Sequence, residues 1–234
     1  MKQWKAFLVE VLARRNIYVS RKYHPNDGTI TLRIQEELAK QAGGILHIGA
    51  HEGQEADLYS KFGVPILWIE AIPSKHDQLL TKLKNFPDQK SICALLGASN
   101  ENAVKFNVSS NNGASSSLYF PKEKYALPFS MVETLFLDMK RLDTLMSETE
   151  IQKYRHWVVD VQGAELAVLQ GAGSLIDYCN SLIVEAKRDS YYENGTNWNE
   201  LTSFLHSKGF IPLWQIGTHD EDNAYFVRVE SRVN

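Results

Sequence analysis

Residues Ile45–Glu70, ILHIGAHEGQEADLYSKFGVPILWIE, decide the fold. Ile45, Leu46 and Ile48 form a short apolar run that stops at Gly49-Ala-His-Glu-Gly53, the pattern of a buried strand entering a turn. Ala56, Tyr59 and Phe62 then recur at helical spacing, and Gly63 follows as a stop signal. Ile66, Leu67, Trp68 and Ile69 make a second apolar run closed by Glu70. Strand, glycine turn, helix and strand in this order predict a parallel βαβ unit, which places a ligand at the carboxyl ends of its strands. Glycines at 49 and 53 let the backbone approach that ligand, and the helix amino terminus is expected to offer free N–H groups. An acid ending the second strand can accept hydrogen bonds from both hydroxyls of a ribose. A nucleoside-like ligand is therefore expected, held by Glu70 and its neighbour Ala71 on one side and by Gly49, Ala50, His51 and Gly53 on the other.

The glycine spacing narrows the ligand. A dinucleotide fingerprint needs G-x-G-x-x-G so that a pyrophosphate can rest on the helix end. Here the turn is Gly49-x-x-x-Gly53, with Ala50 where a middle glycine would stand, and no Gly-Lys-Ser/Thr follows for a phosphate-binding loop. The longer turn suits a cofactor without phosphates, such as S-adenosylmethionine. The bland alternative is an α/β domain with an ordinary tight turn at this place.

The 234 residues suffice for one large α/β domain with added elements, and 44% hydrophobic with 23% charged residues is ordinary for a globule. A net charge of −3 gives no overall attraction to nucleic acid, so no nucleic-acid partner is expected. Residues 1–44 nevertheless hold eight Lys/Arg against four Asp/Glu. Trp4, Phe7, Leu8, Val11 and Leu12 have amphipathic spacing there, which reads as a helix packed on the domain or, less simply, as weak contact with a membrane surface. No apolar run is long enough to span a bilayer. Cys93 and Cys179 form neither a CxxC pair nor a zinc set; Cys93 is expected to be a small buried hydrophobe, and the pair fits a reducing cytoplasm.

Helices alternate with apolar strands along the rest of the chain, giving a doubly wound sheet. The pattern predicts helices over Ile30–Gln41, Ser74–Asn85 (with Ser74 as cap), Leu142–Ser147 and Gly163–Ile176, and another through Trp198 and Leu205. It predicts strands at Ile92–Leu96, Val104–Val108, Phe136–Asp138, Trp157–Val161 and Ser181–Ala186, and an antiparallel pair at Phe210–Trp214 and Ala224–Val229. Between them, Asn111–Ser117 is too polar for a core and reads either as a flexible surface loop or as a lid over the acceptor.

Three blocks together carry a resemblance: Ile45–Glu70, Asp160-Val-Gln-Gly-Ala-Glu-Leu166 with Val168-Leu-Gln-Gly-Ala172, and Leu182-Ile-Val-Glu185. Leu142-Asp143-Thr-Leu145 adds a fourth, shorter element. They resemble the FkbM family of S-adenosylmethionine-dependent methyltransferases. The resemblance implies a class I, Rossmann-like α/β fold with a mostly parallel seven-stranded sheet over residues 45–234, with residues 1–44 as a helical extension. It implies S-adenosylmethionine as cofactor and O-methylation of a hydroxyl on a sugar or glycoconjugate precursor; N-methylation or another small metabolite is the alternative. A nicotinamide-dependent oxidoreductase, which the glycine spacing opposes, and a non-catalytic module that kept the cofactor fold are less favoured. His47 stands where the family usually has an aspartate that orients the cofactor's amino-acid end, which makes His47 a cofactor candidate with altered contacts.

O-methyl transfer is an in-line displacement in which the hydroxyl loses its proton as it attacks, so a base is needed at the carboxyl ends of the middle strands. Asp160 ends one such strand and is the candidate base as well as a cofactor contact; Glu185 ends the next, and Lys187 after it is a candidate for holding a charged acceptor. Capping of the following helix is the structural alternative for Asp160. Glu165 falls in the first turn of that helix, where an acid suits the dipole in any case. A divalent metal held by Asp160 and Glu185 is possible and not favoured. Tyr191, Tyr192 and Trp198 read as an aromatic wall for a sugar face or as ordinary packing, and His156 as a surface residue. The oligomeric state is left open.

Overall fold

A computed structural model describes residues 28–185, 187, 189–214 and 223–229. The amphipathic stretch at residues 4–12 lies outside the described residues. The first described helix, α1 (Gly28–Ala42), leads into β1 (Ile45–Ile48). The glycine turn follows, then α2 (Ala56–Tyr59), a 3-10 turn at Ser60–Phe62, and β2 (Ile66–Glu70). The expected helix is thus one α turn tightened into 3-10, ended by Gly63 at φ +67°. Next come α3 (Pro73–Leu83), β3 (Gln89–Cys93), β4 (Leu95–Leu96), β5 (Glu101–Ser109), β6 (Met131–Lys140), α4 (Leu142–Leu145) and α5 (Glu148–Ile151). The chain closes with β7 (His156–Val159), α6 (Glu165–Gly171), a 3-10 segment at Gly173–Tyr178, β8 (Ser181–Glu185), α7 (Trp198–Ser207), β9 (Phe210–Trp214) and β10 (Asn223–Arg228).

Seven strands form one sheet in the order β3-β2-β1-β7-β8-β10-β9. All neighbours pair in parallel except β10, which runs against both β8 and β9. The seven-stranded, mostly parallel sheet expected from the resemblance is therefore present. Every residue of β1, β2 and β7 is buried, as strands covered on both faces must be. One face packs Leu46, Ile48, Trp157 and Val159 beneath α6 and α7; the other packs Ile45, Trp68 and Val158 against Ile34 and Leu38 of α1. Burying each such side chain contributes about 1.5–3 kcal/mol. Chain order reverses between β1 and β7, so their carboxyl ends open a crevice for a ligand.

Several expectations from the pattern change. The strands at Val104–Val108 and Phe136–Asp138 lengthen to nine and ten residues and join β4 in a separate sheet, β4-β6-β5, not the main one. Its inner face, with Phe106, Leu95 and Met139, packs on Ile72 and walls the crevice. Pro73 opens α3 and Ile72 is its N-cap, so Ser74 caps nothing. The helix expected over Gly163–Ile176 is α only for Glu165–Gly171, because Gly173 takes φ +54° and the chain tightens to 3-10. Cys93 is exposed, since it ends a strand at the edge of the sheet. His156 is not a surface residue: it belongs to β7, is fully buried, and bonds Ser181 Oγ through Nδ1 at 2.7 Å. Burial drives its pKa, like that of His47, down to about 3, and for His156 the nearby His47 adds a smaller push. Among the described residues no helix is long and apolar enough to cross a membrane.

Candidate active site

At the carboxyl ends of β1, β2 and β7 lies a partly open cleft. Gly49, His51, Glu70, Ala71 and Asp160 line it, so five of the eight residues assigned to the cofactor from sequence meet there. His47, Ala50 and Gly53 are not among its lining. His47 projects from the opposite face of β1, stacked on Trp68 with ring centroids 4.8 Å apart and with Nδ1 3.3 Å from the Tyr59 hydroxyl. Strand alternation explains this: residue 47 faces the α1 side, while residues 46 and 48 face the other.

Several N–H groups of the turn are already taken within the protein. Gly49 N–H and Ala50 N–H both donate to the Ile69 carbonyl, Gly53 N–H to Ala50, and Ala56 N–H to Gly53. Gly49 is required for another reason. At φ +90°, a Cβ there would lie 1.7 Å from the carbonyl oxygen of Asp160. The glycine lets the end of β1 pass against the end of β7. Gly53 is less constrained, because its Cβ would meet only the end of the Leu79 side chain.

Glu70 is the organising acid of the cleft. One carboxylate oxygen accepts the His51 N–H at 2.7 Å, and the other accepts the Ile72 N–H at 2.7 Å. The side chain is buried, and burial raises its pKa while those two N–H bonds oppose the rise. Each oxygen keeps a second lone pair for a ligand hydroxyl. Walls come from residues the motif gave no sign of: Ile72, Leu95 and Phe106 supply an apolar slot, and Gly113, Ala114 and Ser116 supply the far side. The loop around Asn111–Ser117 therefore lies across the cleft. It is tied to the glycine turn by Asn112, whose carbonyl bonds His51 Nε2 at 2.9 Å and whose side chain bonds both Glu52 and Lys75 at 2.8 Å. Lys75 also pairs with Glu52 at 2.6 Å.

A smaller pocket adjoins the cleft, lined by Glu165, Glu185, Lys187, Ser190, Tyr191 and Tyr192 among others. Asp160 follows β7 directly and lies between the two spaces. Its carboxylate accepts Gln162 Nε2 at 2.7 Å, and the same amide nitrogen donates to Glu185 at 2.7 Å. Asp160 caps no helix; α6 starts five residues later, and its side-chain partners are Gln162 and Glu185. Glu165 does the local work instead, accepting the N–H groups of Gly163 at 2.9 Å and Val161 at 3.3 Å. One oxygen from each of Asp160, Glu165 and Glu185 lies within 4.8 Å of the other two. A cation among these oxygens would have to displace the Gln162 amide, whose hydrogens already point at two of the three acids.

The electrostatics follow from this crowding. Burial first, and Glu185 second, raise the pKa of Asp160 well above the ordinary carboxylate range. The same two causes push Glu165 up to about 7. Lys187 balances Glu185 at 3.0 Å and sits 3.9 Å over the Tyr191 ring, which packs on Tyr125. Of the expected aromatic wall, Tyr191 and Tyr192 line the pocket, whereas Trp198 packs on Phe226 in the core.

Residues 47–212 match the methyltransferase FkbM domain. The chain belongs to that family. The FkbM-family assignment makes it an S-adenosylmethionine-dependent methyltransferase, and the fold agrees. An uncharacterized protein from Listeria monocytogenes serotype 4b superposes with a TM-score of 0.50 at 8% identity, over 93% of this chain and 71% of that one. An rRNA methylase from Streptococcus thermophilus gives 0.49 at 8% identity, over 90% and 100%. The N-terminal domain of EvdMO1 with SAH bound gives 0.47 at 10% identity, over 87% and 81%. No curated protein matches the chain by sequence. The residues present fit the family's cofactor: a buried acid lines the cleft beside an apolar slot.

Proposed function

We propose that this FkbM-family methyltransferase methylates a hydroxyl of a sugar or glycoconjugate precursor, with Asp160 as general base. The observation that carries the reading is the position of Asp160, which lines the cofactor cleft and is joined through Gln162 to Glu185 in the neighbouring pocket. S-adenosylmethionine, when bound, supplies an electrophilic methyl group. Glu70 would hold its ribose hydroxyls, and Ile72, Leu95 and Phe106 would flank its adenine. Asp160 would take the proton of the acceptor hydroxyl, and the oxygen would receive the methyl group as the S–CH3 bond breaks and S-adenosylhomocysteine leaves. Its raised proton affinity makes it a stronger base than an exposed aspartate. Glu185 and Lys187 orient the acceptor, and the Tyr191 ring offers a face for a sugar. Three carboxylates around the transfer point also suit a protonated amine, which keeps N-methylation as the second reading.

Labelled methyl transfer should be measured against free sugars, sugar nucleotides and glycolipid precursors, with a matched set of amines. Incorporation into a hydroxyl supports the proposal; incorporation into amines alone overturns it in favour of the second reading.

The ribose assignment has its own test. Hydrogen bonds to a charged group are worth about 1.5–3 kcal/mol each, so Glu70→Ala should weaken S-adenosylmethionine binding by tenfold or more. The same change leaves the N–H groups of His51 and Ile72 without their acceptor, so the thermal midpoint should fall as well. Calorimetry well below that midpoint isolates the binding effect. Unchanged affinity there would remove Glu70 from the cofactor site.

A further inference from the structure

Gln162 lines the cleft, and its backbone and partners set it apart from the other lining residues. Its φ is +53°, a left-handed conformation uncommon outside glycine. The next residue, Gly163, is left-handed too, at +102°. This double turn swings the Gln162 side chain back between Asp160 and Glu185. Its two amide hydrogens go one to each acid, at 2.7 Å. Its amide oxygen accepts the Tyr192 hydroxyl at 2.9 Å, and its backbone carbonyl accepts Ser117 Oγ at 2.6 Å. The amide orientation is determined, because a flipped group would set its oxygen against two carboxylates.

We propose that Gln162 is a positioning residue for the base: its amide, donating to Asp160 and Glu185 together, holds the two carboxyl groups in place and favours the charged form of Asp160. The proposal rests on Asp160 being the base. Two carboxylates this close, with burial added, ordinarily hold one proton between them. A shared proton would leave Asp160 unable to accept another from the acceptor. An amide that donates to Asp160 stabilises its charged form and opposes the upward push of burial and of Glu185. Glutamate at this position would bring one more acid in place of two donors.

The other groups facing Asp160 are Glu165 from α6, Tyr192 from the loop after β8, and His51 across the cleft; Lys187 acts through Glu185. Tyr192 Oη lies 3.1 Å from the Ser115 carbonyl, and Ser117 holds the Gln162 backbone. The loop across the cleft thus fixes Gln162 from two sides.

The test needs no acceptor. Carboxyl-detected NMR of the full chain, with the Asp160 signal assigned by its loss in Asp160→Asn, follows protonation directly. Gln162→Met keeps the length and removes both donors; Gln162→Glu keeps the shape and adds an acid. Each should raise the Asp160 titration midpoint by about one pH unit or more. A residue that only packs would leave that midpoint in place when methionine fills the same space. Midpoints unmoved in both variants overturn the proposal. Turnover of Asp160→Asn tests the base assignment separately, so a failure of either idea is recognised by itself.

Discussion

Asp160→Asn should lower methyl-transfer turnover by at least about a hundredfold, the lower end of what a general base contributes. The variant keeps an oxygen to accept the Gln162 amide, so the turn should hold its shape. It loses the charge that takes the acceptor's proton. The same substitution should leave the protein as stable as before, or more stable, above neutral pH. Asp160 is held with its pKa raised by burial and by Glu185, so its ionised form is a cost to the folded state. The sign is that of any acid raised on folding: its contribution is fully present below the unfolded pKa and is lost as pH rises through the folded value. Glu165 behaves alike, losing its contribution as pH climbs from about 4.5 through about 7. His47 and His156 act oppositely, since their folded values near 3 lie below the unfolded value near 6.5 and their contribution is lost as pH falls between the two. The comparison therefore belongs at pH 8, where the histidines are neutral in both states. Low turnover with an undiminished thermal midpoint identifies a residue kept for chemistry at some expense of stability. Turnover close to wild type would end the assignment of Asp160 as base.

Gly49→Ala should be the most damaging single methyl group that can be added to the turn. Its Cβ would stand 1.7 Å from the Asp160 carbonyl oxygen, on a backbone at φ +90° that a side chain rarely adopts. Neither partner can yield easily, because both are main chain at the ends of fully buried strands. A loss of about 4 kcal/mol or more, or failure to fold, is expected, which is the range reserved for severe core disruption. Gly53→Ala is the companion. It carries left-handed strain of about 1–2 kcal/mol and meets only the tip of Leu79, so it should fold and unfold at a moderately lower denaturant concentration. Equal midpoints for the two variants would show that contact with Asp160 does not constrain Gly49. Loss of binding in a well-folded Gly49 variant, the simplest expectation from the motif, is not what this crossing predicts.

The contrast between those two glycines marks where sequence stops and tertiary structure begins. Local signals were enough for the βαβ unit, for Glu70 at the mouth of the sheet, and for Asp160 and Glu185 on adjacent strands. Apolar runs, turn residues and a terminal acid are all written within a few residues of one another, and the specific Asp160–Leu166 block tied them to a family. The sequence could show that Gly49 was a glycine but not why, since the atom it avoids is 111 positions away and comes close only when β1 pairs with β7. The inward turn of His47 and the burial of His156 were likewise hidden, because strand alternation assigns faces only once the sheet has two covered sides. The apolar slot and the loop over the cleft come from β4, β5 and the segment after β5, none of which carries a motif. Gln162 is the sharpest case. Its residue type is plain in the chain, yet its role arises from a left-handed backbone that points one amide at two acids, one of them 23 residues away, a geometry that only the closed fold creates.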